Sequence, residues 1–295
     1  MRKASYSVSR IQRHGYVFIA PTLIFFLVFL IYPMLSAFQL SLYQWNLLSP
    51  KVFVGLKNFA LMAADERVIN SFWRTIQFSA VSVVFINILA FIFAIMFGSR
   101  LLRFKNFLQS MIFLPVVLSI IACGIVWEFM YQTNGLISII FRTLFRAQVP
   151  WLTNTNVAPY SIIIVYVWKS VGYYMVMYIA GLMDVPISYY EAARMDGAGF
   201  WGQMRYITLP SLRNTIALAV VSSIIFTFGQ FAIQYTITQG GPSRSTEILA
   251  LMIYKEAFEF SKFGYSAAVS VLFFMTLLIF SLFQLRLFKS GTIGE

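Results

Sequence analysis

The stretch TIQFSAVSVVFINILAFIFAIMFGS, residues 75–99, contains no Asp, Glu, Lys or Arg. As a helix it is long enough to cross a hydrocarbon layer of about 30 Å, which takes roughly 20 apolar residues. Comparable charge-free runs occupy 15–50, 106–127, 214–243 and 263–285, and another, 147–183, is interrupted only by Lys169. Trimmed of turn residues, these runs predict six spans, at about 16–42, 75–97, 107–131, 158–183, 214–237 and 264–288. The first is too long for the core of a signal peptide and no small-residue cleavage pattern follows it, so it reads as a retained helix. The expected fold is an all-α, polytopic membrane protein with six transmembrane helices, a single transmembrane domain over residues 1–295.

Composition supports this. Of 295 residues, 60% are hydrophobic and only 11% charged, against about 25% charged in soluble domains. Such a chain cannot cover a soluble globule, which excludes a soluble enzyme. Its net charge of +12 would suggest nucleic acid in a soluble protein. Here the basic residues concentrate in the loops on one side of the spans. With the N-terminus inside, the inner segments carry a net +8 and the outer ones +4, while Lys169 and Glu128 cancel within the membrane. That bias puts both termini in the cytoplasm. Cys123 and His14 are the only residues of their types, so a disulfide, a thiolate cluster and a His-based triad are excluded within this chain. Cys123, in an apolar run, reads as a packing residue.

Outer loops of roughly 25–30 residues leave no room for a separate domain. Within them, 135–144 reads as a short interfacial helix, Gly240-Gly241-Pro242 as a turn, and Thr246–Phe260 as helical with Glu247 in its first turn. Aromatic residues near span ends (Trp45, Trp73, Trp127, Tyr131) fit interface belts better than sugar platforms. One inner loop is long, from about Asp184 to Arg213. Pro186 suits a first helical position, Ser188–Met195 is a good helical stretch, and Gly197 and Gly199 permit a bend. A second short helix follows from about Phe200, and Pro210 closes the unit. A helix–bend–helix on the cytoplasmic face suits docking of a partner.

The residues Glu191-Ala192-Ala193, Asp196-Gly197-Ala198, Ile207 and Leu209-Pro210 resemble the EAA loop of permease subunits from binding-protein-dependent ABC importers. The approach (Trp168-Lys169, Ala180-Gly181-Leu182, Pro186), the stretch Val54–Phe59, Gly240-Gly241-Pro242 with Ser245-Thr246, and 254–268 are similar to the first of the two permeases in the carbohydrate-uptake branch, of maltose and glycerol-phosphate type. The resemblance covers nearly the whole chain and departs at Asn214, where a proline is common, and at Met204, where Phe is common. It implies the type I importer permease fold in a bacterial or archaeal cytoplasmic membrane. It also implies a loop seated in a cleft of a cytoplasmic ATPase, with Glu191 as polar anchor, Ala192 and Ala193 allowing close packing, and Gly197 making the bend. The implied partners are a second similar permease, two ATPase subunits that bind ATP and Mg, an extracytoplasmic solute-binding protein, a sugar, and lipid, with no nucleic acid. No Gly-Lys pair occurs, so the phosphate-cradling GxxxxGK[ST] loop is absent. The chain is expected to be no enzyme and to hold no cofactor or metal itself.

For the solute, Ser223, Thr227, Gln230 and Gln234 fall at i, i+4, i+7 and i+11, one helical face of the fifth span. Neutral hydroxyls and amides suit a sugar, and they equally suit helix–helix hydrogen bonding. The fourth span offers Tyr166, Lys169, Ser170 and Tyr173. An intramembrane lysine marks a pathway, or snorkels into a hydrated gap, or pairs with Glu128, although Glu128 lies nearer the outer end of its helix. An anionic solute such as a glycerol phosphate would favour the first. The alternative from another class, an ATPase-independent secondary transporter, has no need of the long loop. No clustered Asp, His or Ser–Lys set supports an intramembrane enzyme.

Overall fold

The computed structural model of the chain describes residues 18–98 and 104–289. The basic N-terminal stretch with His14, the start of the first span, and Arg100 and Arg103 lie outside the described residues. In chain order the elements begin with helix α1 (Phe18–Leu40), strands β1 (Tyr43–Gln44) and β2 (Val52–Phe53), α2 (Lys57–Ala64) and α3 (Glu66–Gly98). There follow α4 (Lys105–Val117), α5 (Ile120–Tyr131), α6 (Leu136–Phe145), α7 (Ala158–Met183), α8 (Ile187–Met195) and α9 (Phe200–Ser211). The chain continues through α10 (Arg213–Phe228), α11 (Ala232–Thr238), α12 (Leu249–Tyr254) and α13 (Phe263–Lys289). The fold is thus all-α apart from one two-stranded ribbon. Four helices, α1, α3, α7 and α13, are each long and apolar enough to cross a membrane, and two bent pairs bring the number of candidate spans to as many as six.

Contacts divide the chain into two compact units, residues 1–65 with 253–272, and 66–252 with 273–295. In the first, β1 and β2 pair antiparallel with Tyr43 opposite Phe53. Asn58, buried at the start of α2, donates its amide to the carbonyls of Ser41 and Tyr43 at 2.8 and 2.9 Å. Tyr265 donates its hydroxyl to Asp65 at 2.6 Å. The expected helix over 246–260 runs only from Leu249 and widens into a π-turn at Lys255–Glu259. Two further π-turns, Leu27–Ile31 and Met204–Thr208, each precede a proline, Pro33 and Pro210. A proline has no N–H and its ring collides with the carbonyl four residues back. A widened turn relieves that collision without ending the helix.

The second unit is built around α3 and α7. Ile86, Ala90 and Ala94 are fully buried at four-residue spacing, a narrow stripe along which α3 and α7 pack. At 33 residues α3 is about 50 Å long. It begins nine residues before the expected span at 75, because Glu66–Arg74 remains helical beyond the apolar run. Gly172 sits where α7 passes α4; a Cβ there would press into the backbone of Ile112 and Phe113. Cys123 is buried, as its apolar setting predicts.

Two expected spans are not continuous. The third, over 107–131, breaks at Leu118–Ser119, and its halves α4 and α5 meet at 100°. The fifth ends at Phe228, and residues 229–231 separate it from α11. The unit before it closes one residue after Pro210: α9 runs to Ser211, and the chain turns by 67° at Leu212.

Glu247, expected in a helix, instead precedes α12 and receives a two-pronged ion pair from Arg67 at the start of α3. Nε lies 2.8 Å from one carboxylate oxygen and Nη2 2.7 Å from the other. Both side chains are largely buried, and removing one partner of such a pair strands the other charge at about 3–5 kcal/mol. Arg67→Met should therefore lower the thermal unfolding midpoint in detergent markedly. Adding Glu247→Gln should recover a large part of the loss. A single variant that melts like the unaltered protein would refute this.

Candidate functional site

The long inner loop forms a stiff helix–turn–helix. Pro186 occupies the N-cap of α8, one position before the expected first helical residue. Three bonds end α8: the amide of Asp196 donates to the carbonyl of Ala192, Gly197 to Arg194, and Ala198 to Ala193. The last two are the crossed pair of a Schellman turn, which requires a left-handed residue after the cap. Gly197 fills it at φ +79°, whereas Gly199 is extended, caps α9 and makes no left-handed bend. Further bonds tie the two arms together. The Tyr190 and Thr208 hydroxyls are 3.1 Å apart, and Gln203 donates to the Ala198 carbonyl at 2.9 Å.

Glu191, Ala192, Asp196, Gly197, Leu209 and Pro210 are exposed and Ala193 half-buried. Around Glu191 lie large exposed apolar side chains, Ile187, Tyr189, Met195 (89%), Phe200, Trp201 (79%) and Tyr206. The loop thus presents a preformed surface with the Glu191 and Asp196 carboxylates beside apolar groups.

The polar groups of the spans separate into two sets. Tyr166, Ser223 and Thr227 are buried and bonded inside the second unit. Thr227 donates to the Ser223 carbonyl at 2.6 Å, with the Tyr166 hydroxyl 3.4 Å away. Ser223 also accepts from the side-chain amide of Asn87 at 3.0 Å, and Asn87 in turn accepts the Tyr178 hydroxyl at 2.8 Å. Asn87 is the node that joins α3, α7 and α10. Sequence reasoning did not single it out, although it is the one amide in the apolar run 78–98. The single helical face drawn through Ser223, Thr227, Gln230 and Gln234 does not exist. The helix stops at Phe228, Gln230 lies in the break, and Gln234 is buried on α11. On α7, Tyr173 is 44% exposed and Ser170 half-buried. Tyr173 is the exposed member of the predicted set; Ser170, Lys169 and Gln230 are half-buried, and the amide nitrogen of Gln230 is enclosed. Among the belt candidates, Tyr131 is buried, with its ring against Trp127 and Trp151.

Lys169 does not pair with Glu128. Its ammonium donates to the carbonyls of Pro115 and Val116 at 3.1 and 3.2 Å. These belong to the last turn of α4, whose carbonyls lose their helical partners where the span breaks. The cation also complements the partial negative charge of a helix C-terminus.

With the geometry in place, comparison with known proteins gives a consistent picture. Residues 87–291 match the family of binding-protein-dependent transport system inner membrane components. The chain belongs to that family. It is 33% identical to a probable ABC transporter permease protein of Bacillus subtilis, over 94% of this chain and 96% of the relative. It is 32% identical to a lactose transport system permease of Rhizobium radiobacter, over 95% and 97%. Among solved structures, a bacterial ABC transporter involved in import of the acidic polysaccharide alginate superposes with a TM-score of 0.83 at 22% identity, covering 96% of this chain and 98% of that one. Those relatives are permease subunits, and the fold is that of an ABC importer permease.

Hydrogen bonds from a charged donor contribute roughly 1.5–3 kcal/mol. Lys169→Met, which takes the ammonium from the Val116 carbonyl and leaves the Pro115 carbonyl with the Leu118 amide alone, should lose stability on that scale in a thermal melt, and Lys169→Arg should retain most of it. Equal melts for Met and the unaltered protein would remove the capping role.

Proposed function

We propose that this chain is the membrane-spanning permease subunit of a binding-protein-dependent ABC importer that carries a sugar or oligosaccharide. The observation that carries the reading is the inner loop. A Schellman turn, the Tyr190–Thr208 bond between α8 and α9, and the Gln203 bond to the turn hold the loop as one rigid body with Glu191 exposed beside apolar side chains. A stiff element of that kind converts movement of a docked ATPase into tilting of α7 and α10, the helices on either side, which is how two-state domain motion alternates access. With no phosphate-binding loop of its own, the chain leaves ATP and Mg to two partner ATPase subunits. A second permease completes the pathway, and a solute-binding protein delivers the solute from outside. Residues 1–295 act as one permease domain of the cytoplasmic membrane, with both termini inside.

A neutral solute fits the accessible groups better than an anion. Tyr173 and Ser170 offer hydroxyl contacts, with Tyr166, Ser223 and Thr227 supporting them from behind. Lys169, the cation an anionic solute would call on, is engaged by the α4 carbonyls. The relatives' solutes include both kinds: one is a trehalose/maltose permease of Thermococcus litoralis, 32% identical, and another a glycerol-3-phosphate permease of Agrobacterium fabrum, 31% identical.

Glu191→Lys should abolish solute uptake in reconstituted vesicles, by tenfold or more, and detach the ATPase subunits on size exclusion. The permease should still reach the membrane, because Glu191 is exposed and its loss disturbs no packing. Undiminished uptake with the ATPase still bound would overturn the coupling role.

A further inference from the structure

We propose that Gly181 is a positioning residue at the root of the inner loop. Its missing side chain lets α7 and α10 close on each other there, so that the two helices move together when the loop moves. The proposal rests on the importer reading above and names the point where motion passes between the loop and the spans.

The loop leaves α7 after Met183 and re-enters the spans at Arg213, the first residue of α10. Gly181, two residues before the exit, lies against the point of re-entry. A Cβ on it would stand 2.5 Å from the Thr215 hydroxyl oxygen and 2.9 Å from both the Thr215 methyl and a methyl of Leu212. Even one added carbon therefore forces a shift in its neighbours. They have little freedom to give way. Leu212 is fully buried, Thr215 is branched at Cβ and stiff within a helix, and Leu182 and Ile216 beside them pack against the core.

Leu212 is also where the chain turns by 67° between α9 and α10. Bonds on both sides brace that corner. The Leu212 amide donates to the Thr208 carbonyl behind it at 3.0 Å, and the Ile216 amide donates to the Leu212 carbonyl at 2.8 Å. Gly181 sets the end of α7 against this braced corner. The loop is thus closed twice, once between its arms by Tyr190 and Thr208 and once at its root.

A closed root has a mechanical consequence. A loop held open at its root could tilt α7 or α10 and leave the other behind. Closed, it carries both, and the Asn87 bonds to Ser223 and Tyr178 tie the same two helices to α3. Gly172 makes a comparable approach to α4, but it lies eleven residues from the loop. A glycine that only packs costs stability when enlarged. A glycine that closes the root costs communication between the two ends of the spans.

The test uses the assembled importer in nanodiscs and reads how far its solute-loaded binding protein stimulates ATP hydrolysis. Gly181→Val should cut that stimulation roughly fivefold while the ATPase subunits still co-elute with the permease. Thr215→Ala added to it, which returns the space, should restore at least half. A Gly181→Cys/Thr215→Cys pair, brought within disulfide reach by this approach, should keep full stimulation when oxidised, because a root closed in every state loses nothing by being locked. Undiminished stimulation in Gly181→Val overturns the proposal, as does a loss that Thr215→Ala fails to repair. If Gly181→Val does not assemble, the cysteine pair decides alone. Stimulation lost on oxidation and regained on reduction means that the roots part during the cycle, and refutes the closed root. No stimulation of the unaltered complex refutes the importer reading itself, and the closed root with it.

Discussion

A backbone amide or carbonyl left unpaired in hydrocarbon costs several kcal/mol, because no water is there to take it. Several departures from continuous helix among the described residues are arranged around that cost. Where α4 ends inside the third span, Lys169 donates to two of the carbonyls that the break releases. Where α12 begins at Leu249, the backbone amide of that residue finds the Thr75 hydroxyl of α3 at 2.9 Å. Where prolines enter helices at 33 and 210, a π-turn just before each lets the helix continue.

The same reasoning divides what the sequence made legible from what it did not. Long apolar runs free of charge are diagnostic on their own, so α1, α3, α7 and α13 were predictable from composition. The breaks were not. Leu118 and Ser119 are neither Gly nor Pro, and the nearest punctuation, Pro115, sits inside the last turn of α4. It is the partner from another helix that makes the break affordable, and the local sequence does not contain it. The i, i+4, i+7, i+11 face failed for that reason: periodicity assumes an unbroken helix, and Gly229 was too weak a signal against it. The inner loop was legible in detail because its turn is local. The bonds of the turn itself span five residues or fewer, and Gly197 is a conformational requirement that sequence shows directly.

Buried and accessible polar groups then part along a physical line. Asn87, Tyr178, Ser223, Thr227 and Tyr166 satisfy one another inside the second unit, and so serve to lock α3, α7 and α10 together. Hydrogen bonds of this kind between membrane helices are individually worth about 0.6 kcal/mol on average. Their greater effect is on register, since shifting α10 by one residue breaks the Asn87–Ser223 bond. Specific uptake needs such a frame, because a solute can be recognised only by groups whose positions are fixed before it arrives. Tyr173 and Ser170 are on α7, the helix that this network clamps most tightly.

Lys169 stands where those two requirements meet. One residue further on, at the Ser170 position, α7 turns toward the accessible face, while the lysine itself reaches across to α4. A neutral donor could satisfy one of the released carbonyls. An ammonium has three donors and can hold both at once, and its charge is offset by the negative end of the helix it caps. That offset is what makes a full positive charge tolerable in a chain with so few of them, without a carboxylate partner. The lysine therefore reads as part of the scaffold that keeps a bent helix bent, and the accessible face beside it is left to neutral groups, as a sugar requires.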